Sequence, residues 1–324
     1  MRAPGFWQSG GWAAWLLAPL SPLTGWLTAR RLARPGWRAP VPVLCCGNAT
    51  VGGAGKTPLA LDLVPRLQAR GHVVHVLTRG HGGKGGRGAP LLVAAGADAA
   101  TVGDEPLLLA AVAPTWVGRD RAAAARCAVA AGATCLVMDD GLQNPGLVQD
   151  LGLLVIEGGS GFGNGRRLPA GPLRESVARA ASRCRAAVLI GEDATGALAA
   201  LPPGMEVLRA TLRQVLPPGL AGRRVFAFAG IGRPEKFRAS LAAAGVTVAG
   251  FRDFPDHHFY TAREGRAVLA AAAALDAVPV TTAKDAVRLP PALRTRVAVA
   301  GMRLEWEDAG AIERLLPKKK DVLF

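Results

Sequence analysis

The stretch Gly47-Asn48-Ala49-Thr50-Val51-Gly52-Gly53-Ala54-Gly55-Lys56-Thr57-Pro58 places a lysine and a hydroxyl directly behind a run of glycines. An apolar run, Val41 to Cys46, precedes it, and the sequence from Leu59 to Arg70 has the pattern of a helix. Glycines let backbone N–H groups turn inward onto a phosphate without steric cost, and the positive end of the following helix adds to the attraction. Thr50, Val51, Gly52, Gly53, Ala54, Gly55, Lys56 and Thr57 are therefore the candidate nucleotide cradle, with Lys56 reaching the β and γ phosphates and Thr57 ligating Mg²⁺. The strict pattern GxxxxGK[ST] is not met, because Thr50 stands where its first glycine would be. The loop reads xGGxGKT, close to variants that carry a lysine before the double glycine, a position filled here by Val51. An ordinary glycine turn is the plain alternative.

A second chemical signal is Thr134-Cys135-Leu136-Val137-Met138-Asp139-Asp140-Gly141-Leu142-Gln143. An apolar strand ending in two carboxylates has the form of a Walker B site, which would add Asp139 and Asp140 to Thr57 as metal ligands. Asp104 and Glu105 sit at a turn before a helix, where carboxylates are usually caps but could also place a base beside a phosphate. Thr78 to Gly88 is a glycine-rich basic loop containing Arg79 and Arg87, either a substrate lid or an exposed linker. Gly161 to Glu175 is a second glycine and proline loop, expected to enter a helix at Pro172. Its arginines can clamp phosphate or pair with surface carboxylates.

The elements that must hold these residues alternate between strand and helix, which implies an α/β fold with a parallel sheet covered on both faces. Strands are expected at 41–46, 72–77, 90–94, 115–118, 134–139 and 151–157. The back half reads as a smaller α/β lobe, with strands at 224–229, 246–250 and 278–281 and helices at 234–244 and 261–275. Between Pro203 and Pro217, residues 206–215 alternate like a strand and could pair with 297–306 as a hinge. The expected division is 1–40, 41–205 and 206–324.

With 39 Lys and Arg against 24 Asp and Glu, the chain carries a formal charge of +15, which favours anionic partners. One tyrosine and the lack of an aromatic and basic cluster argue against nucleic acid. The five cysteines show no metal-ligand spacing and suit a reduced cytosolic core. From Gly10 to Thr28 there is no charge, and Trp7, Trp12, Trp15 and Trp26 punctuate an apolar run that leads to Arg30, Arg31, Arg34 and Arg38. Pro19, Pro22 and Gly25 interrupt it, so an interfacial segment at a membrane surface is preferred to a true span, a signal peptide or a segment packed on the domain. Lys318 to Lys320 forms a basic tail that could touch anionic lipid.

Taken together, TVGGAGKTP, TRGHGG, VGDEP, DDGLQ, GNGRRLPAGPLRE, FAGIGRP, FPDHHF and TTAKDAVRL, in that order, resemble the tetraacyldisaccharide 4′-kinases of lipid A biosynthesis. The resemblance implies a P-loop kinase using ATP and Mg²⁺ at the cytoplasmic face of the bacterial inner membrane, acting as a monomer on the 4′-hydroxyl of a tetraacyl disaccharide 1-phosphate. It also implies that Asp104 accepts the sugar hydroxyl proton with support from His257, while Lys56 acts on the transferring phosphoryl group. Arg79, Glu105, Arg174 and Glu175 would contact substrate. Three sites depart from the family pattern. Asn144 stands where histidine usually follows DDGLQ, Ala283 replaces a usual glutamate, and Thr78 and His81 replace the serine and tyrosine of SRGYG. The alternatives are another P-loop kinase or ATPase with a different acceptor, and a membrane-associated nucleotide switch.

Overall fold

A computed structural model of the chain describes residues 4–86 and 88–318. Arg87 of the basic loop and Lys319 and Lys320 of the basic tail lie outside the described residues. Strands β1 (Val43–Gly47), β2 (Val74–Thr78), β3 (Leu91–Leu92), β4 (Thr115–Val117), β5 (Cys135–Asp139), β6 (Leu151–Glu157) and β7 (Ala186–Ile190) come from the front half. The back half supplies β8 (Glu206–Val215), β9 (Arg224–Ala229), β10 (Thr247–Asp253), β11 (Val278–Thr282) and β12 (Ala298–Trp306). All join one sheet of order β10-β9-β11-β12-β8-β7-β6-β1-β5-β2-β4-β3.

Neighbouring strands run parallel except at β3·β4 and β8·β12. The central strands β1 and β5 are buried at every position, as a sheet covered on both faces requires. Their side chains alternate between two cores. Leu44, Cys46 and Val137 pack with Leu59, Leu63 and Leu67 of the helix Lys56–Ala69. Val43, Cys45, Leu136 and Met138 meet Ala124, Ala125 and Ala128 of the helix Arg121–Ala130, whose small residues let it lie close to the sheet.

The expected hinge pairing is present, since β8 and β12 run antiparallel from Ala210↔Trp306 to Val215↔Gly301. Beyond it, β9, β10 and β11 carry two further cores, one of them built on Phe226, Phe228, Phe254 and Tyr260. A capping box of Thr261 and Glu264 starts the helix Ala262–Ala274. The chain then returns, and Leu304, Ala311, Ile312 and Leu316 pack into the front core. One sequence expectation fails, and one strand is additional. The strand β7 was not foreseen, and no helix starts at Pro172. The backbone there is spent on the glycine loop instead, with Val51 N–H donating to Pro172 O at 2.8 Å and Arg174 N–H to Ala49 O at 2.8 Å, so the helix begins only at Val177, capped by Ser176.

No helix among the described residues is long and apolar enough to cross a membrane. The N-terminal segment folds as short pieces, Trp12–Leu17, a 3₁₀ turn over Ala18–Leu20, and Ser21–Leu32. One side is pinned to the Gly161–Glu175 loop. Trp7 Nε1 donates to Pro169 O at 3.0 Å, Ser21 Oγ donates to Arg167 O at 2.9 Å, and Thr24 Oγ1 donates to Leu168 O. The other side leaves Trp12 80% and Trp15 69% exposed, with Leu16, Leu23, Trp26 and Leu27 beside them.

Candidate active site

The phosphate loop forms at the carboxyl end of the buried strand β1. Gly55 adopts φ +89° just before the helix, which favours glycine, and a Cβ there would lie 2.4 Å from Ile190 Cδ1, so a side chain would also have to displace the tip of Ile190. Lys56 is 9% exposed, and its ammonium donates to Asn48 Oδ1 and to Gly52 O, each at 3.2 Å, with Asp140 Oδ1 at 3.7 Å. Burial pulls its pKa down, and attraction to Asp140 only partly compensates. The lysine therefore occupies a place where a phosphate would be strongly welcome.

Thr57 Oγ1 donates to Asp139 Oδ2 at 2.9 Å, which joins the glycine loop to the end of β5 as the sequence implied. The other oxygen, Asp139 Oδ1, is buried without a hydrogen-bond partner, and burial pushes the carboxyl up to about 6. A buried acceptor left unpaired is costly unless something completes it. Asp140, at φ +55°, accepts from Arg174 at 2.9 and 3.3 Å while its Oδ1 stays 3.7 Å from Lys56 Nζ. Glu175 is 2% exposed, and its oxygens accept from Arg183 and Gln143. Arg79 lines a cavity of about 310 Å³ with Arg31, Arg119, Arg121, Arg174 and Asp140, and residues 143–145 form the rest of the wall.

A second cluster joins the two halves of the chain. Asp104, in the first turn of the helix Asp104–Ala110, does not cap it. Its Oδ2 lies 2.9 Å from His257 Nδ1, which follows β10. Arg288 grips the same carboxylate, with Nε donating to Oδ1 at 2.8 Å and Nη2 donating to Oδ2. Burial alone would raise the Asp104 carboxyl, but His257 and Arg288 outweigh it and hold the group at about 2. The bond to Asp104 raises the His257 pKa against the effect of burial. Beside them, Lys284 Nζ donates to Glu105 Oε1 at 2.7 Å, one position past Ala283. His258 bonds Glu264 at 3.1 Å. His257 and Asp140 are two of the three described non-glycine residues with positive φ, and strain of this kind concentrates at functional sites.

Two arginines escaped the reading of the sequence. Arg121 is 2% exposed with Nε unpartnered, and burial lowers its pKa to about 10. The available signal was a cation in the first turn of a helix, where the dipole disfavours it. Arg288 stands in the TTAKDAVRL motif, where its local partner is Asp285, met at 3.4 Å, and nothing in the motif points to Asp104.

A central parallel strand, a glycine loop, a helix opening on lysine and threonine, and a neighbouring strand ending in aspartates define a P-loop nucleotide-binding protein of the kinase and ATPase class. The model of the tetraacyldisaccharide-1-P 4′-kinase family matches residues 13–320, and the chain belongs to that family. It is similar to the tetraacyldisaccharide 4′-kinase of Gluconacetobacter diazotrophicus, 62% identical over 98% of this chain and 97% of that protein. The enzyme of the same name from Gluconobacter oxydans is 52% identical over all of this chain and 98% of its own length. Among solved structures, LpxK from Aquifex aeolicus in complex with ATP superposes with a TM-score of 0.77 at 26% identity, covering 94% of this chain and 98% of that one.

Proposed function

We propose that the chain is an ATP-dependent kinase that phosphorylates the 4′-hydroxyl of a tetraacyl disaccharide 1-phosphate, a lipid A precursor. Family membership supports the reaction, and the meeting of Asp104 with His257 across the two halves of the chain supports its site. Such transfers ask the protein mainly to position groups and neutralise charge. Lys56 and the loop amides hold the β and γ phosphates, and Asp104 accepts the sugar hydroxyl proton while His257 shares the charge. Arg79 and Arg174 line the basic cavity that suits an anionic group of the substrate, with Glu105 near the acceptor and Glu175 bracing Gln143.

The donor set suits Mg²⁺, which is commonly held by one or two carboxylates together with substrate phosphates. Thr57 and Asp139 would hold it, with Asp140 alongside, and the unpartnered Asp139 Oδ1 is the place left for it. When bound, the ion would neutralise charge developing on the phosphates. We place the enzyme, acting as a monomer, at the cytoplasmic face of the inner membrane, held by the exposed tryptophans and leucines of the N-terminal segment and by the arginines that follow. The two lobes divide near residue 205, and β8 and β12 form their joint.

Mixing the purified protein with Mg·ATP and the tetraacyl disaccharide 1-phosphate should yield a bisphosphorylated lipid carrying the new phosphate at the 4′ position. ATP hydrolysis without lipid phosphorylation would favour the switch or ATPase reading instead.

A further inference from the structure

The geometry points to Arg288 as the positioning residue that fixes which oxygen of Asp104 receives the proton of the acceptor hydroxyl. This rests on the kinase reading given above. An ionised carboxylate offers about four lone-pair sites. With His257 carrying a proton on Nδ1, as the ionised Asp104 beside it favours, three of them are taken here, two on Oδ2 by Arg288 Nη2 and His257 Nδ1, and one on Oδ1 by Arg288 Nε. The remaining site is on Oδ1, so the sugar hydroxyl must donate there. A planar guanidinium bound side-on prevents the carboxylate from rotating, which a lysine at the same place would not do.

Arg288 is itself held. It is 5% exposed, and Nη1 donates to Gly230 O at 3.0 Å and approaches Asp285 Oδ1 at 3.4 Å. Asp285 in turn accepts from Tyr260 Oη at 2.8 Å and from Gly230 N–H at 2.9 Å. Gly230 follows β9, and its carbonyl also accepts from the N–H of His257 at 3.0 Å. One backbone carbonyl therefore sets both the histidine and the arginine that address Asp104, and all of this scaffolding belongs to the back half of the chain. Asp104 becomes a locked base only when that half is in place.

The charged groups around Asp104 give the expected sign. Glu105 on its own helix is neutralised by Lys284, and Asp256 faces the far side of the His257 ring at 3.9 Å. Arg288 and His257 are then the groups that keep Asp104 ionised against burial. Removing Arg288 leaves that work to His257 alone, and the Asp104 carboxyl must titrate at higher pH. The ring of His257 loses a repulsive neighbour and also titrates higher.

The test compares Arg288→Ala and Arg288→Lys with the wild-type enzyme in lipid phosphorylation across pH, alongside carboxyl ¹³C NMR of Asp104. In Arg288→Ala, kcat should fall about tenfold or more, with its acid limb moved upward and affinity for Mg·ATP retained. Arg288→Lys keeps the charge without the fork, so it should hold the acid limb close to wild type while still losing kcat. An unshifted acid limb and an unshifted Asp104 resonance in Arg288→Ala would overturn the inference, as would full kcat in Arg288→Lys. Should the alanine variant not fold, the lysine variant still decides through kcat. If wild-type protein makes no bisphosphorylated lipid, the kinase reading fails, and the Asp104 titration still judges the arginine's hold.

Discussion

The two ends of the site are built in opposite ways. At the nucleotide end, every contributor comes from the front half, at a strand end, in a loop or in the first turn of the helix Lys56–Ala69, and the charges are unfinished. Lys56 is buried with its pKa depressed, Asp139 is pushed up to about 6, and one of its oxygens has no partner. At the acceptor end, Asp104 meets residues more than 150 positions away, and its carboxylate is bonded on both oxygens and held at about 2. On the proposed reading, one end is completed by its ligand, and the other by the fold. The contrast suits a reaction in which a highly charged donor must be drawn in and a neutral hydroxyl must find a base already set.

The comparison is broken most severely by Lys56→Ala. If the nucleotide end depends on a charge waiting for phosphate, kcat should fall by about 10³-fold or more while the fold persists, because the buried ammonium was never stabilising by itself. Near-wild-type turnover would remove the loop from the mechanism.

A smaller effect belongs to the acceptor end. Asp104→Ala and His257→Ala should each cost about 10²-fold in kcat, and the double variant should lose no more than the worse single one, since coupled groups act as a unit. Losses that add in free energy would show two independent residues.

Stability sharpens the same contrast. Asp104 has a folded pKa below its ordinary value of 3.8, so its contribution is present above that value and is lost as pH falls toward about 2. At 5% exposure the shift corresponds to about 2 kcal/mol. Acid unfolding of Asp104→Asn should lack that steep loss between about pH 4 and 2, measured by circular dichroism against wild type. A superimposable pH profile would deny that the cluster is prebuilt.

The smallest effect on chemistry should follow removal of residues 1–28. If the N-terminal segment is the proposed membrane anchor, apolar burial by its exposed tryptophans and leucines, with about 1 kcal/mol for each nearby arginine, supplies the attachment. The shortened protein should leave the vesicle fraction and show a raised KM for lipid, with Mg·ATP affinity retained. Co-sedimentation with vesicles at low and high salt alike would place the anchor elsewhere.

The nucleotide end was legible in the sequence because it is local. Glycine spacing, Lys56, Thr57 and the strand ending in Asp139 and Asp140 carry their own geometry, and the β8·β12 pairing followed from two alternating runs. What was missed is non-local. Nothing within TTAKDAVRL says that Arg288 will cross to Asp104, and nothing in GPLRE says that its backbone will bind the glycine loop before it can turn helical. The strand β7, Ala186-Ala187-Val188-Leu189-Ile190, is a short apolar run that periodicity cannot tell from a buried helix segment, and its place between β6 and β8 makes it a strand.

The most direct test of an unfinished nucleotide end is the Mg²⁺ dependence of ATP binding in wild type and Asp139→Asn, followed by calorimetry. Wild type should bind ATP more tightly with Mg²⁺ than with a chelator, and the asparagine variant should lose most of that difference while keeping its affinity for metal-free ATP. An unchanged Mg²⁺ advantage in Asp139→Asn would contradict the assignment of that carboxylate, and with it the view that the ligand completes this end of the site.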